Sequence, residues 1–273
     1  MIIVKLKLFY VSCRFRIVIA LIKITKYFFG FIIRGSVLKL FLASRGYFTI
    51  GILADETGFF IGEKKFIKRT IDAGFSTVLD IGANIGDYSE FALNNGAKKI
   101  ISIEPNPVCF AVLEKKFAHL SNVRLFNVAI TDQEGLFDLR VPSIDGHGEG
   151  SLHDEVSREI TKAGVNYSVK GVRLSELLIP LSSAGLIKID VEGSEFEVLK
   201  QLAQVVGAKN KYIQFEFNNH HAIVGTSMTM IYSLFPEYQL TQMDLITGDL
   251  VERRTSDPFT QLFLSSVFVL VRK

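Results

Sequence analysis

The residues best placed to do chemistry fall into two groups, the first of which lies between Thr77 and Glu104. Asp80 is followed by Gly82, Asn84 and Gly86 in a glycine-spaced loop, after an apolar β-branched run and before apolar residues at helical spacing. That is the order strand, tight turn, helix, and it fits a nucleotide-type cofactor. Glycines at 82 and 86 let the backbone bend sharply and approach a ligand closely. The N–H groups that open the following helix point into the same space, where a carboxylate or phosphate is welcome. Asp80 and Glu104 are separated by what a strand, loop, helix and second parallel strand occupy, so both emerge at the carboxyl edge of one sheet. An acid at Glu104 accepts from the 2′ and 3′ hydroxyls of a ribose, whether the cofactor is a dinucleotide or S-adenosylmethionine.

The second group sits in GLIKIDVEGSEFEVLKQL, where Lys188, Asp190 and Glu192 crowd the end of a short apolar strand. Charges are tolerated there when they face a ligand site or pair with one another, and a Lys188–acid ion pair is the purely structural alternative. A further polar cluster, Glu216, Asn218, Asn219, His220 and His221, closes the next strand, YIQFEFN. Asp190, Glu192, Glu216 and His220 offer oxygen and imidazole ligands for a divalent ion, but their spacing does not demand one and no metal is assigned.

Around these groups the chain reads as α/β. A helix in EKKFIKRTIDAG, closed by Gly74, precedes a strand at Thr77–Ile81 and a helix at Asp87–Asn94. The strand KKIISIE follows, then a helix with Asn106 as N-cap, Pro107 in its first turn, and Phe110, Leu113, Phe117 and Leu120 facing inward. VRLFNVAI is a third strand. GLFDLRVP and NYSVKGVRL then alternate like half-exposed strands, predicting an inserted β-hairpin near the site mouth, with Gly146, Gly148, Gly150 and Ser151 suited to a mobile flap. Ser194 and Glu197 form a capping box for the helix after Glu192. YQLTQMD and FLSSVFVLVRK supply two final strands after five strand–helix units. The expectation is a mostly parallel, seven-stranded Rossmann-like sheet ending in an antiparallel hairpin.

The 273 residues, 48% of them apolar, suffice for one large domain. A net charge of +3 is too weak to argue for nucleic acid, and Cys13 and Cys109 form neither a disulfide framework nor a metal spacing, which suits the cytoplasm. The positive charge is unevenly placed, since nine Lys or Arg and no acid precede Asp55. Residues 1–46 are therefore read as a basic apolar helical extension, and 47–273 as the catalytic domain. Uncharged runs in the extension, such as 17–22, fall well short of the ~20 residues that span a bilayer. Lys5, Arg16, Lys23, Lys26 and Arg34 fall within an arc of roughly 80° on a helix, which suits peripheral association with an anionic membrane face.

The run VLDIGANIGDYS, then SIEPNP, NVAI and above all IKIDVEGSEFEVLKQL, closely resembles the FkbM-type methyltransferases, over about residues 74–219. That resemblance implies a class I methyltransferase that uses S-adenosylmethionine to methylate hydroxyls of sugars, glycolipids or related natural products. By motif it places Asp80, Gly82, Asn84 and Gly86 along the methionine half of the cofactor, Glu104 on the ribose, and Asn127 and Ala129 at the adenine. It also makes Asp190 the leading residue for hydroxyl contact or general base, followed by Glu192, His220 and His221. The acceptor is a small molecule or glycan. Two rivals stay open: a nicotinamide oxidoreductase, whose three-glycine fingerprint is absent here, and a module that binds cofactor without turnover.

Overall fold

A computed structural model describes residues 61–141, 150–153, 155–156, 164–177, 179, 183–207, 209–257, 260 and 266–273. The compact unit that carries the site begins at Gly62. The basic extension and its boundary at 46/47, and the flap glycines 146 and 148, lie outside the described residues.

The expected parallel core is present. β1 (Thr77–Ile81), β2 (Lys99–Ile103) and β3 (Val123–Phe126) pair in parallel on one side. β7 (Leu186–Ile189) and β8 (Tyr212–Phe217) continue the parallel sheet on the other. These runs are apolar because both faces of the sheet are covered. On one face Leu79, Ile81, Ile187, Ile189, Phe215 and Phe217 share a core with Val198, Leu199 and Leu202 of helix α4 (Glu195–Ala203) and with Met228 and Ile231 of α6 (Met228–Ser233).

The opposite face differs. In register across it stand Ser102, Asp80, Lys188 and Gln214, a polar row through the middle of the sheet. Helices α1 (Ile61–Asp72) and α2 (Asp87–Asn94) supply its partners. Ser89 Oγ donates to Asp80 at 2.6 Å and lies 2.9 Å from Ser102 Oγ. Tyr88 Oη donates to Gln214 at 3.1 Å, and Gln214 Nε2 donates to Glu63 at 2.6 Å. Burying this row is tolerable because its members bond to one another.

The expected antiparallel pair of final strands is present: β9 (Tyr238–Met243) pairs with β11 (Ser266–Arg272), which lies between β8 and β9, antiparallel to both. Two expectations change. The sheet has eight strands, in the order β10-β9-β11-β8-β7-β1-β2-β3, because the short β10 (Leu250–Glu252) adds to its edge. VRLFNVAI, read as one strand, is broken into β3 and β4 (Ala129–Ile130), which belong to different sheets. Between them Asn127 Nδ2 donates to the carbonyls of Glu104, at 2.8 Å, and Pro105, at 3.1 Å, which turns the chain out of the main sheet.

The inserted hairpin is present as β5 (Gly135–Val141) and β6 (Val165–Val172), in antiparallel register. With β4 parallel to β6 it forms a second sheet of three strands. Ser151 bridges back to Arg140 of β5 through paired backbone bonds of 3.0 Å each.

Candidate active site

The glycine loop leaves β1 and is fastened at once to the neighbouring strand, with the N–H groups of Gly82 and Ala83 both donating to the carbonyl of Ile103. Gly82 has φ +79, and a Cβ there would stand 1.7 Å from the carbonyl oxygen of Asp190. Gly86 has φ +88, and its Cβ would meet Leu113 and Phe117 of α3 (Pro107–Phe117) at 2.6 Å. Both glycines are thus required by close packing of protein on protein, beyond any ligand. Asn84 sits between them at φ +50, a left-handed conformation that asparagine tolerates better than most residues.

Glu104 is 6% exposed and closes the loop from the end of β2. Its carboxylate accepts from the backbone N–H of Asn84 at 2.7 Å and of Asn106 at 2.8 Å, one bond to each oxygen. Lone pairs remain on both oxygens for two hydroxyl donors, so this cradle fits a ribose. Burial pushes the Glu104 carboxyl up to about 7, against the pull of those two N–H groups. Asp80 lies deeper and is fully buried. Its Oδ2 takes the Ser89 bond, while Oδ1 takes no hydrogen bond and faces Lys188 Nζ at 3.6 Å. Asp80 is therefore a support beneath the loop. Asn127 is committed to the turn after β3, and Ala129 packs with Leu139, Val141 and Val169 in the core of the small sheet.

Lys188 joins the two motif groups. Its ammonium donates to the carbonyl of Gly82 at 3.1 Å and lies 3.3 Å from Asp190 Oδ2 as well as facing Asp80. Burial works to lower this ammonium, and Asp190, Asp80 and Glu63 more than reverse it, holding it above its ordinary range. The structural alternative for Lys188 is thus realised, with a cofactor loop attached. Asp190 keeps its side chain 37% exposed, and its N–H donates to Ile81 at 2.9 Å. Its backbone touches the loop at Gly82 while its carboxylate stays accessible, as contact with an acceptor requires.

Beyond Asp190, Glu192 adopts φ +51. Glu192 Oε2 stands 3.0 Å from Nδ1 of His220, which lies in α5 (Asn219–Ile223) after β8. Ligand atoms of Asp190, Glu192 and Glu216 all lie within 4.8 Å of one another. Three of the four groups named from the sequence as possible cation ligands are thereby brought together.

The Glu104 cradle, the glycine loop and the carboxylate–histidine cluster are tied together through the ends of β1, β2 and β7. Residues 80–240 match the Methyltransferase FkbM domain. The chain belongs to the FkbM methyltransferase family. Methyltransferase sdnD of Sordaria araneosa is 30% identical over 152 residues, 45% of this chain and 59% of sdnD, so the chain spans less than two thirds of that relative. 2-O-methyltransferase NoeI of Sinorhizobium fredii (strain NBRC 101917 / NGR234) is 27% identical over 193 residues, 65% of this chain and 79% of NoeI. Among solved structures, a TehB-like SAM-dependent methyltransferase from Corynebacterium glutamicum is similar at TM-score 0.42 and 14% identity, covering 76% of this chain and 87% of that one. The plantazolicin methyltransferase BpumL in complex with SAH gives TM-score 0.42 and 11% identity, over 78% and 83%.

Within the FkbM domain some residues at the site were missed in the sequence. The expected Ser194–Glu197 capping box does not form, since Ser194 makes no side-chain cap bond; Glu195 instead accepts from the backbone N–H of Val191 and Gly193 in the loop before the helix. His153 and His220 both reach within 3.6 Å of where a Cβ on Gly193 would sit, and the buried Nε2 of His153 takes no hydrogen bond. Its only signal in the sequence is its place three residues after Gly150. Among the described residues, no helix is long and apolar enough to cross a membrane.

Proposed function

We propose that this FkbM-family chain is an S-adenosylmethionine-dependent O-methyltransferase whose acceptor is a hydroxyl of a sugar, a glycolipid or a related natural product. The observation that carries the reading is that the Asp190 carbonyl comes so close to Gly82 that no Cβ would fit there. It sets the cofactor loop and the candidate acceptor-binding acid side by side on one rim. The 2-O-methyltransferase NoeI among its relatives supports oxygen as the methylated atom. An antiparallel strand inserted before the last parallel one supports S-adenosylmethionine over nicotinamide.

Bound in the cradle, S-adenosylmethionine would supply a methyl group on a sulfonium, already a strong electrophile. Glu104 would hold the ribose hydroxyls, and residues 82–86 the methionine half. What the chain must add is alignment of the acceptor oxygen and exclusion of water. Asp190 would orient the acceptor hydroxyl and accept its proton as the oxygen takes the methyl group and the C–S bond breaks, leaving a neutral thioether. Lys188 fixes the position of that carboxylate from below. Glu192 and His220, held together at 3.0 Å, form the adjoining wall.

Residues 1–46 are proposed to seat the enzyme on the inner face of the membrane, where glycolipid precursors are accessible. Calorimetric titration with S-adenosylmethionine and with NAD decides the cofactor. Transfer of labelled methyl to methyl glycosides, nucleotide sugars and lipid-linked sugars decides the acceptor class. Binding of NAD alone, or cofactor binding without transfer to any of these, would overturn the proposal. Removing residues 1–45 should release the protein from anionic vesicles without changing cofactor affinity; unchanged vesicle binding would defeat the membrane role.

A further inference from the structure

The loop of residues 190–193 has to hold Glu192 in a backbone conformation that side chains disfavour. Glu192 is left-handed at φ +51 and Gly193 follows at φ +103, and a non-glycine residue in that region is strained. Such a conformation persists only where its surroundings over-determine it, and here the backbone polar groups of the loop are bonded one by one. The N–H of Asp190 is taken by the carbonyl of Ile81. Those of Val191 and Gly193 are both taken by Glu195, one by each oxygen, at 2.9 Å. The carbonyl of Glu192 is taken from the other side by Ser151 Oγ of the inserted segment at 2.7 Å.

Glu195 is itself packed in, against a His221 ring whose Nε2 makes no hydrogen bond. Glu195 is 1% exposed, and its Oε2 lies 3.4 Å from Nε2 of His221, also 1% exposed. The other ring nitrogen of His221 lies 3.3 Å from Asn218 Oδ1 at the end of β8. A carboxylate at the first position of α4 therefore spans the loop after β7 and the loop after β8. Asp190 and Glu192 lie in the first of these loops, and Glu216, near the end of β8, and His220, in α5, flank the second.

We infer that Glu195, backed by His221 and opposed by Ser151, is a positioning residue for methyl transfer: its carboxylate fixes the backbone of residues 190–193 and so aims the Asp190 and Glu192 side chains. It touches neither acceptor nor cofactor. This inference rests on the proposed transfer to a hydroxyl, and its test is built so that the two can fail separately.

The perturbation is Glu195→Gln, which keeps the shape but turns one acceptor oxygen into a donor that faces an N–H. Glu197→Gln, two residues further along the same helix, serves as control. Hydrogen exchange in the loop peptide should speed up by about tenfold in Glu195→Gln, the equilibrium equivalent of one lost hydrogen bond, while exchange in β1 stays as in the wild type. Methyl transfer to whichever probe sugar the wild type accepts should fall by about a hundredfold in kcat, the scale that a misplacement of about 1 Å produces. The affinity for S-adenosylmethionine should not move, and Glu197→Gln should match the wild type throughout. Ser151→Ala should speed exchange in the same loop peptide, as an independent check from the other side. Wild-type exchange and turnover in Glu195→Gln would overturn the inference. So would parallel losses of cofactor affinity, melting temperature and turnover, which would make Glu195 a residue of the fold alone. If the wild type transferred methyl to no probe, the proposed activity would fall, and the exchange measurements would still decide whether Glu195 clasps the loop.

Discussion

Lys188 offers the sharpest test of how the two halves of the site are joined. Lys188→Met keeps an unbranched chain of similar reach and removes the ammonium. With it go the 3.6 Å pair to Asp80, the 3.3 Å pair to Asp190 and the 3.1 Å bond to the Gly82 carbonyl. Asp190 is 37% exposed, so its part of the loss is screened to less than about 1 kcal/mol. Asp80 is fully buried, and stranding a buried charge destabilises a protein by about 3 to 5 kcal/mol. The expected loss is therefore about 4 kcal/mol at neutral pH, a large share of the roughly 5 to 15 kcal/mol that holds a domain folded.

The pH dependence follows from the same contacts. Burial already pushes the Asp80 carboxyl above its usual range, and Lys188 is the largest influence opposing that push. Without Lys188 the carboxyl moves higher still. A group raised above its unfolded value contributes stability in acid and loses it as pH rises through the folded value. The variant should accordingly be least impaired in acid, where Asp80 carries a proton, and most impaired in alkali. Urea unfolding followed by circular dichroism at about pH 5.5 and about pH 8 measures both quantities. Adding Asp80→Asn should restore most of the loss, because replacing both members of a buried pair is far milder than removing one. A loss below about 1 kcal/mol, a loss independent of pH, or no rescue by Asp80→Asn would each refute the reasoning.

Other expectations follow from single contacts. Glu104→Ala should weaken S-adenosylmethionine by about 1 to 3 kcal/mol, the scale of a lost charge-assisted hydrogen bond, as read by calorimetry. Because the Glu104 carboxyl lies near 7 and hydroxyls donate best to its ionised form, cofactor affinity should rise from about pH 6 to about pH 8 with release of a proton; buffers of different ionisation enthalpy report that proton, and a flat profile would refute the role. Gly82→Ala, whose Cβ would collide with the Asp190 carbonyl at a positive φ, should abolish cofactor binding and destabilise the fold by more than the ~1 to 3 kcal/mol of backbone strain alone. Asp190→Asn should slow transfer by about 10² to 10⁴ with cofactor affinity retained, a split that single-turnover and binding measurements separate.

Much of the fold was legible because local and global signals agree. The glycine loop is flanked by a strand and a helix whose observed bounds, Thr77–Ile81 and Asp87–Asn94, are those read from the pattern. Asn106 caps α3 as its type and the following proline suggest, accepting from Val108 N at 3.0 Å. What escaped depends on partners far away in the chain. VRLFNVAI reads as one apolar strand, and only the Asn127 bonds to carbonyls 22 and 23 residues earlier break it. The sequence permits a Ser194–Glu197 box, yet Glu195 reaches back to two N–H groups that the left-handed turn at Glu192 presents, which no local propensity reveals. Ser102 and Gln214 look like chance polar interruptions until strand register lines them up with Asp80 and Lys188.

The division of the third strand separates two registers in one run of chain. The small sheet branches away after β3 has finished pairing with β2, so the turn at Asn127 works as a seam. Up to that seam β3 is bound to the register of β2, and past it the chain answers to the small sheet, whose side-chain tie back to the loop after β7 is the Ser151 bond to Glu192 described above.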